Sequence, residues 1–207
     1  MLTKTVKWIF FDVGTTLVDE TEAYNHRIRE VIEGTDITFE QFQEKRIFFA
    51  GQNLKGDLEA IKYFGLEKTP WHKEDVVPYP DAEDVLRYLC RHGYKIGVIA
   101  NQSLGTADRL EQWGLLKYID VVAASAELGV AKPDKAIFDK ALEMAGCTAQ
   151  EAVMIGDRLD NDIIPAKKLG MKTIWIRQGF AIYQNPQNTA EQPDYIVDRL
   201  SELKEIL

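Results

Sequence analysis

Short apolar runs alternate with longer amphipathic stretches along most of the 207-residue chain. Continuous apolar runs are typical of strands buried on both faces, and apolar positions three or four apart are typical of helices. The runs predict strands over residues 6–11, 95–100, 120–124, 152–155, 172–176 and 195–197. The amphipathic stretches predict helices over residues 81–92, 103–113, 133–145, 160–169 and 199–207. This alternation predicts an α/β fold with a doubly wound, mainly parallel sheet and helices on both faces.

The segment from residue 20 to about residue 78 breaks this alternation, because it has three helical patterns (20–33, 38–50 and 58–64) and no clear strand. The chain returns from this segment to the alternating pattern through residues 76–81, which are rich in proline and predicted to be extended, as is typical of a linker. We therefore predict a core domain of residues 1–18 and 79–207, with a helical domain of residues 19–78 inserted after the first strand. The polar stretch 180–193 is expected to be a surface loop.

Composition and charge exclude several classes of function. The net charge is −8 and the chain has no run of Lys or Arg, so we expect no nucleic-acid partner. The first apolar run contains Lys7 and stops at Asp12, which makes it too short for a secretory signal or a membrane span. Cys90 and Cys147 are expected to be reduced, buried thiols. We expect a cytoplasmic protein without a membrane partner, and the three scattered histidines are expected at the surface. The oligomeric state stays open.

Polar residues follow the predicted strands at ends that share one edge of a doubly wound sheet. Asp12 ends the first apolar run, and the turn that follows contains Gly14. Asn101, Gln102 and Ser103 follow the second strand, where free backbone N–H groups at a strand–helix junction favour phosphate. These positions predict an anion site beside a carboxylate.

Two later segments add charge to the same edge. Lys132 lies in a loop before a predicted helix, where it can place a positive charge against a carboxylate or a phosphoryl group. Residues 154–162 follow an apolar strand and bring three carboxylates and an amide together, including Asp157 and Asp162, and such oxygen ligands suit Mg²⁺. Asp160 is expected to cap the next helix instead. Each residue alone has a structural interpretation, since Asp12 can cap a turn and Lys132 can be a solvated surface lysine. Their combination points to a site.

In four segments, taken in order, the chain resembles the haloacid dehalogenase (HAD) superfamily of phosphohydrolases. The segments are residues 10–17 (Phe-Phe-Asp-Val-Gly-Thr-Thr-Leu), 98–101 (Val-Ile-Ala-Asn), 132–138 (Lys-Pro-Asp to Ala-Ile-Phe) and 155–170 (Ile-Gly-Asp to Gly). The resemblance spans nearly the whole chain and is strongest in the last two segments. It implies a Rossmann-like core with a central first strand, and a C1-type cap, formed by the helical insertion, that shields the site and selects the substrate.

The resemblance also implies the roles of the site residues. Asp12 would attack the phosphorus of a small phosphorylated metabolite and form an aspartyl-phosphate, which water then hydrolyses. Asp12, the main-chain carbonyl of Gly14 and Asp157 would bind Mg²⁺, and Asp162 would bind or orient it. Lys132 would neutralise the charge that gathers when an anionic nucleophile meets an anionic phosphate.

Two positions depart from the pattern of the superfamily. The residue two after the nucleophile is usually an Asp that protonates the leaving oxygen and then activates water, and losing such a group typically costs about 10²–10⁴-fold in rate. Gly14 can do neither, and Ala100 replaces a usual Ser or Thr that hydrogen-bonds phosphate.

Three functions stay open. The first is a slow or specialised Mg²⁺-dependent phosphohydrolase. The second is phosphonatase- or dehalogenase-like chemistry, with Lys55 as a Schiff-base lysine in the phosphonatase case. The third is a non-catalytic protein that binds phosphate or a partner.

Overall fold

A computed structural model describes residues 5–207, so residues 1–4 of the predicted core segment lie outside the described residues. The strands are β1 (Trp8–Phe11), β2 (Val18–Asp19), β3 (Val77–Pro78), β4 (Lys95–Ala100), β5 (Val121–Ala124), β6 (Ala152–Gly156), β7 (Lys172–Ile176) and β8 (Tyr195–Val197). All except β2 and β3 form one six-stranded sheet in the order β5-β4-β1-β6-β7-β8. Every pairing in it is parallel, and β1 lies between β4 and β6. The predicted α/β, Rossmann-like fold with a central first strand is confirmed.

The helices are α1 (Thr21–Ile32), α2 (Phe39–Ala50), α3 (Gly56–Tyr63), α4 (Ala82–Arg91), α5 (Thr106–Gln112), α6 (Ser125–Leu128), α7 (Lys135–Ala145), α8 (Ile164–Lys168) and α9 (Leu203–Ile206). Helix α5 begins three residues later than predicted, because Gly105 has a φ of 80° and a helix cannot pass through that conformation. A π-helical turn over Leu159–Ile163 precedes α8, so the predicted helix 160–169 is divided. None of the described helices is long and apolar enough to cross a lipid bilayer.

Alternate residues of the central strand pack against helices on opposite faces of the sheet. Ile9 and Phe11 contribute to a buried cluster that includes Leu86 of α4. Phe10 points to the other face and contributes to a cluster with Phe138 of α7. Gly97 on the neighbouring strand makes room for the Phe10 ring, since a Cβ there would lie 2.3 Å from a ring carbon. The two clusters explain why the central strand is a continuous apolar run.

Helices α1 to α3 form a separate layer around their own apolar cluster, which contains Ile28, Phe42 and Ile61. We call residues 20–76, which contain these helices, the cap. The two connections between the core and the cap, β2 and β3, pair as an antiparallel ribbon. The second connection, predicted as an extended linker, is a short strand, and its pairing with β2 has no signal in the sequence. The predicted domain boundaries, at residues 18/19 and 78/79, fall within the ribbon, and the division into two domains stays a prediction.

The segment that follows β7 makes a second contact between the core and the cap. Gly179–Tyr183 forms a 3-10 turn. It places the centroid of the Phe180 ring 3.3 Å from the guanidinium carbon of Arg46 in α2. Asn53 of the cap donates to the main-chain oxygen of Asn185 at 2.7 Å and accepts from its main-chain nitrogen at 3.0 Å. The prediction of a surface loop over residues 180–193 is therefore wrong for its first part, which packs against the cap.

Candidate active site

The carboxyl ends of the central strands meet at one cavity of about 380 Å³. Asp12 follows β1, Asn101 follows β4, Asp157 follows β6, and all three line this cavity together with Lys132 from the loop before α7. Three further residues predicted for the site also line it: Gly14, Gln102 and Ser103. Asp162 lies behind them and is fully buried. The structure thus brings the predicted site residues together.

Lys132 lies at the centre of the group. Its Nζ is 2.7 Å from Asp12 Oδ1 and 2.6 Å from Asp162 Oδ1, and its side chain is 1% exposed. Burial by itself would lower the pKa of Lys132, but the carboxylates of Asp12 and Asp162 outweigh it and raise that pKa above its usual value. The ammonium therefore stays charged, and two of its three protons face these carboxylates. Its third proton can serve a bound anion. Lys132 is thus not a solvated surface lysine.

Asn101 holds the main chain of Lys132. Its Nδ2 donates to the Lys132 carbonyl at 2.8 Å, and its Oδ1 accepts from the Lys132 N–H at 2.7 Å. Both heteroatoms of the amide are thus in use, so the observed contacts of Asn101 position the lysine. Its expected role in phosphate binding stays a prediction.

Several backbone N–H groups after β4 that were expected to be free for phosphate are already bonded. The Gln102 N–H donates to Ser125 Oγ at 3.1 Å. At the start of α5, the N–H groups of Gly105 and Thr106 donate to Glu127 Oε1 at 3.0 and 3.3 Å. The carboxylate of Glu127 therefore occupies two of the N–H groups at this helix N-terminus. Phosphate contacts in this region depend on side chains or on the remaining N–H groups.

Three carboxylates form the acidic part of the site. Oxygen atoms of Asp12, Asp157 and Asp162 lie within 4.8 Å of one another. Burial, followed by the charges of Asp162 and Asp12, raises the pKa of Asp157 well above its usual range. The Lys132 ammonium pairs with only two of these carboxylates, Asp12 and Asp162, so ionisation of all three leaves excess negative charge in a buried place. Hard oxygen donors with such an excess fit a divalent cation such as Mg²⁺.

Local geometry fixes Asp162 in this group. Its Oδ2 accepts from the Arg158 N–H at 3.0 Å, while its Oδ1 accepts from Lys132. Gly156 leaves the space for it, since a Cβ at that position would lie 2.5 Å from Asp162 Cβ. Asp160, which was expected to cap the next helix, instead accepts from the Arg158 guanidinium Nε at 3.1 Å, because Arg158 itself holds the cap position. The prediction for Asp160 is wrong.

Sequence reasoning missed Glu20, whose side chain lines the same cavity. Burial and the charge of Asp12 raise the pKa of Glu20 to about 7. Thr15 Oγ1 donates to Glu20 Oε2 at 3.1 Å. A Cβ built on Gly14 would lie 2.7 Å from that same oxygen. The Glu20 carboxyl group therefore lies against the glycine that departs from the superfamily pattern.

Comparison with known proteins agrees with this geometry. The sequence model of the haloacid dehalogenase-like hydrolase family matches residues 9–176. The chain belongs to this family. It is 31% identical over 224 residues to the glyceraldehyde 3-phosphate phosphatase of Methanocaldococcus jannaschii, covering 98% of this chain and 97% of that protein. It is 27% identical over 224 residues to the pyrophosphatase PpaX of Listeria monocytogenes, covering 100% and 98%. The crystal structure of a HAD phosphatase from Thermococcus onnurineus matches with a TM-score of 0.65 and 26% identity over 97% of each chain.

This haloacid dehalogenase-like hydrolase is therefore an enzyme, and the prediction of a hydrolase is confirmed. Membership of the family and relatives named as phosphatases over almost the whole chain argue against the third function left open by the sequence, a non-catalytic binding protein. The first two alternatives remain: phosphate ester hydrolysis, and phosphonatase- or dehalogenase-like reactions. The residues of the site distinguish between them.

The cap lines the hydrolase cavity with cations and aromatic rings. Lys55, Lys68 and Lys73 lie between the two connecting strands in the sequence, and all three line the cavity. Arg27 also lines it, pairs with Asp57 at 3.2 Å and lies over the Trp71 ring, with its guanidinium carbon 4.5 Å from the ring centroid. The arrangement can accept a ligand with negative charge at both ends.

A second cluster of titratable groups lies in the cap of the hydrolase, outside this cavity. The rings of His26 and His72 stack with centroids 3.6 Å apart, a contact that their positions in the sequence do not predict. His26 Nδ1 lies 2.8 Å from Asp75 Oδ2, and His72 Nε2 lies 2.9 Å from Glu30 Oε2. Each ring thus has a carboxylate partner, and the cluster ties α1 to the segment before β3.

Proposed function

We propose that this hydrolase is a Mg²⁺-dependent phosphatase that acts on a small phosphorylated metabolite through an aspartyl-phosphate on Asp12. The observation that carries the proposal is the contact of 2.7 Å between the Asp12 carboxylate and the buried ammonium of Lys132, in a cavity that Asp157 also lines. Similarity over almost the whole chain to two proteins named as phosphatases supports the same class of reaction.

The donor set fits the proposed cation. Asp12, Asp157 and the main-chain carbonyl of Gly14 would hold Mg²⁺, which when bound supplies positive charge to the transferring phosphoryl group. Both oxygens of Asp162 already accept hydrogen bonds, from Lys132 and from the Arg158 N–H. This favours an orienting role for Asp162 over direct coordination.

Asp12, Lys132 and Asn101 have different roles in the proposed reaction. A carboxylate oxygen of Asp12 attacks phosphorus, and the bond between phosphorus and the ester oxygen breaks. Lys132 holds Asp12 in place and directs its third proton at a phosphoryl oxygen, where it opposes the negative charge that accumulates in the transition state. Asn101 fixes the main chain of Lys132. Water then attacks the aspartyl-phosphate, which releases phosphate and restores Asp12.

The cap suggests the class of substrate. With Asp12 and Lys132 assigned to the phosphoryl group, the cations Lys55, Lys68 and Lys73 remain at the cap side of the cavity. We infer that the preferred substrate carries a second anionic group, a carboxylate or another phosphate, remote from the phosphoryl group that is removed. Remote charge of this kind would orient the substrate and exclude neutral esters.

Release of phosphate from a panel of phosphate esters, with and without Mg²⁺, tests the reaction. We expect Mg²⁺-dependent release by the wild type and a loss of at least about 10³-fold in Asp12→Asn, because the nucleophile is removed. Asp36→Asn, which changes an exposed carboxylate of the cap, is the matched control and should retain wild-type activity. Full activity in Asp12→Asn would contradict the proposal, as would a wild type that hydrolyses no ester in the panel.

The substrate class has its own test. Lys55→Ala should raise KM for esters with a second carboxylate or phosphate and leave KM for p-nitrophenyl phosphate unchanged. Lys62→Ala, an exposed cap lysine that does not line the cavity, should change neither value. An equal rise in KM for both kinds of ester would argue against recognition of a remote anion. Borohydride trapping of Lys55 with a phosphonoaldehyde would favour the phosphonatase alternative instead.

A further inference from the structure

The space beside Gly14 is filled by the side chain of another residue. A Cβ built on Gly14 would lie 2.7 Å from Glu20 Oε2, 2.8 Å from Oε1 and 2.9 Å from Cδ. Real Cβ atoms essentially never approach other heavy atoms so closely, so a side chain at position 14 would require the flexible end of the Glu20 side chain to move. The carboxyl group of residue 20 thus fills the space next to the position that a residue-14 Cβ would take.

Glu20 precedes a helix, where a side chain often caps the first N–H groups, but Asp19 does this instead. Glu20 immediately precedes α1 but makes no hydrogen bond with its side chain to cap the helix. Asp19 Oδ1 accepts from the Thr21 N–H at 2.8 Å instead. The Glu20 side chain is therefore free to turn toward Asp12 and Gly14, with which it lines the cavity.

A strained residue holds the carboxyl group there. Thr15 Oγ1 donates to Glu20 Oε2 at 3.1 Å, and Thr15 has a φ of 55°. A positive φ in a β-branched residue is a genuine outlier, and such strain persists where surrounding structure requires it, often at active sites. Gly179 has no side chain and leaves room for the Thr15 methyl group, since a Cβ there would lie 2.6 Å from it. Several residues thus combine to place one carboxyl group.

We infer that the carboxyl group of Glu20 is the proton-transfer group of this hydrolase and takes over the task that Gly14 cannot perform. The inference rests on the proposed phosphatase function. Other carboxylates at the start of α1 do not fit the role, because Asp19 caps the helix and Glu22 is exposed.

With this assignment, Glu20 gives a proton in the first step of the reaction and takes one back in the second. In the first, Asp12 forms a bond to phosphorus, the phosphorus–ester oxygen bond breaks, and the protonated Glu20 carboxyl gives its proton to the leaving oxygen, which departs as an alcohol. In the second, the Glu20 carboxylate takes a proton from water as the water oxygen attacks phosphorus. The bond from phosphorus to Asp12 breaks, inorganic phosphate leaves, and Glu20 is protonated for the next turnover.

Glu20→Gln tests the inference, with Glu22→Gln as the matched control on the same helix. For alkyl phosphates, whose leaving oxygen needs a proton, we expect kcat to fall about 10²–10⁴-fold in Glu20→Gln and to stay unchanged in Glu22→Gln. For p-nitrophenyl phosphate, whose leaving group departs without protonation, the first step should lose much less. Because the second step is common to both esters, the comparison uses kcat/KM, which reports the first step. A purely structural role would lower kcat/KM for both esters by the same factor and would overturn the inference.

A reciprocal exchange separates the role of Glu20 from damage to the fold. Glu20→Ser should lose activity toward alkyl phosphates, and Gly14→Asp alone should gain little, because the wild type already holds the Glu20 carboxyl group beside position 14. The double variant Gly14→Asp with Glu20→Ser removes the crowding and returns a carboxyl group to the same space. We expect it to exceed Glu20→Ser at least tenfold in kcat. A double variant no better than Glu20→Ser, with a wild-type circular dichroism spectrum, would overturn the inference.

Failure of this inference is distinguishable from failure of the proposed function. If the wild type hydrolyses phosphate esters and Asp12→Asn does not, while Glu20→Gln keeps full activity toward alkyl phosphates, only the role of Glu20 is wrong. If the wild type hydrolyses no ester, the proposed function fails first.

Discussion

Replacing Lys132 by Met should destabilise the folded protein strongly, because it leaves two carboxylates in the core without their cation. The Lys132 side chain is 1% exposed, and its Nζ lies 2.7 Å from Asp12 and 2.6 Å from Asp162. Hydrogen bonds to charged groups contribute about 1.5–3 kcal/mol each, and breaking a buried ion pair by removing one partner costs about 3–5 kcal/mol. Met keeps most of the buried volume, so little of the loss comes from packing. We expect the free energy of unfolding to fall by about 3–5 kcal/mol.

Urea unfolding followed by circular dichroism, in the presence of a chelator, measures this loss. Lys135→Met removes an exposed lysine that pairs with Asp139 within α7, and it should cost less than about 1 kcal/mol. Adding Asp162→Asn to Lys132→Met removes one of the two orphaned charges and should recover part of the loss. If Lys132→Met lowers the free energy of unfolding by less than about 1 kcal/mol, the Lys132 ammonium does not hold Asp12 and Asp162 together as we infer.

Three further predictions follow from the same structure. Gly156→Ala should lower the free energy of unfolding by about 1–3 kcal/mol and reduce phosphate release, because its Cβ would lie 2.5 Å from Asp162 Cβ; unchanged urea midpoints would contradict this. The neighbouring carboxylates of Glu30 and Glu74 raise the pKa of His72 above 6.5, so this pairing stabilises the fold fully below about pH 6.5 and is lost as the pH rises. His72→Gln should therefore lower the melting temperature at pH 6 and have little effect at pH 9, and equal effects would count against the pairing. Mg²⁺ should raise the melting temperature of the wild type and leave that of Asp157→Asn unchanged, since a ligand stabilises only the state that binds it.

The core strands could be predicted because a strand buried on both faces leaves a plain signal, a continuous apolar run that ends in polar residues. Asp12, Lys132 and Asp157 could be predicted to converge because parallel strands end at a common edge. The exact residues at which the helices begin could not be predicted. The start of α5 depends on the left-handed conformation of Gly105 and on Glu127, whose carboxylate caps the helix from α6.

Contacts that depend on how the chain folds back left no signal in the sequence. Three acidic residues lie close together at positions 19, 20 and 22, and nothing in their order tells which one turns toward Gly14. The two cap histidines are 46 residues apart in sequence, yet their rings stack. The polar stretch after Phe180 has the composition of a loop, and its docking on the cap follows from the position of Arg46.

The position of Glu20 also bears on how such enzymes can be recombined. Glu20 lies beyond the first strand of the ribbon β2–β3, on the cap side of the junction. A chimera that keeps residues 1–18 and 79–207 and receives the cap of another family member would lose this carboxyl group along with the cap. Transfer of this cap to a core that already carries an acidic side chain at the equivalent of Gly14 would bring two carboxyl groups into the same space and force the end of the Glu20 side chain to move. The loop after β1 and the start of α1 therefore form a unit that must be exchanged together.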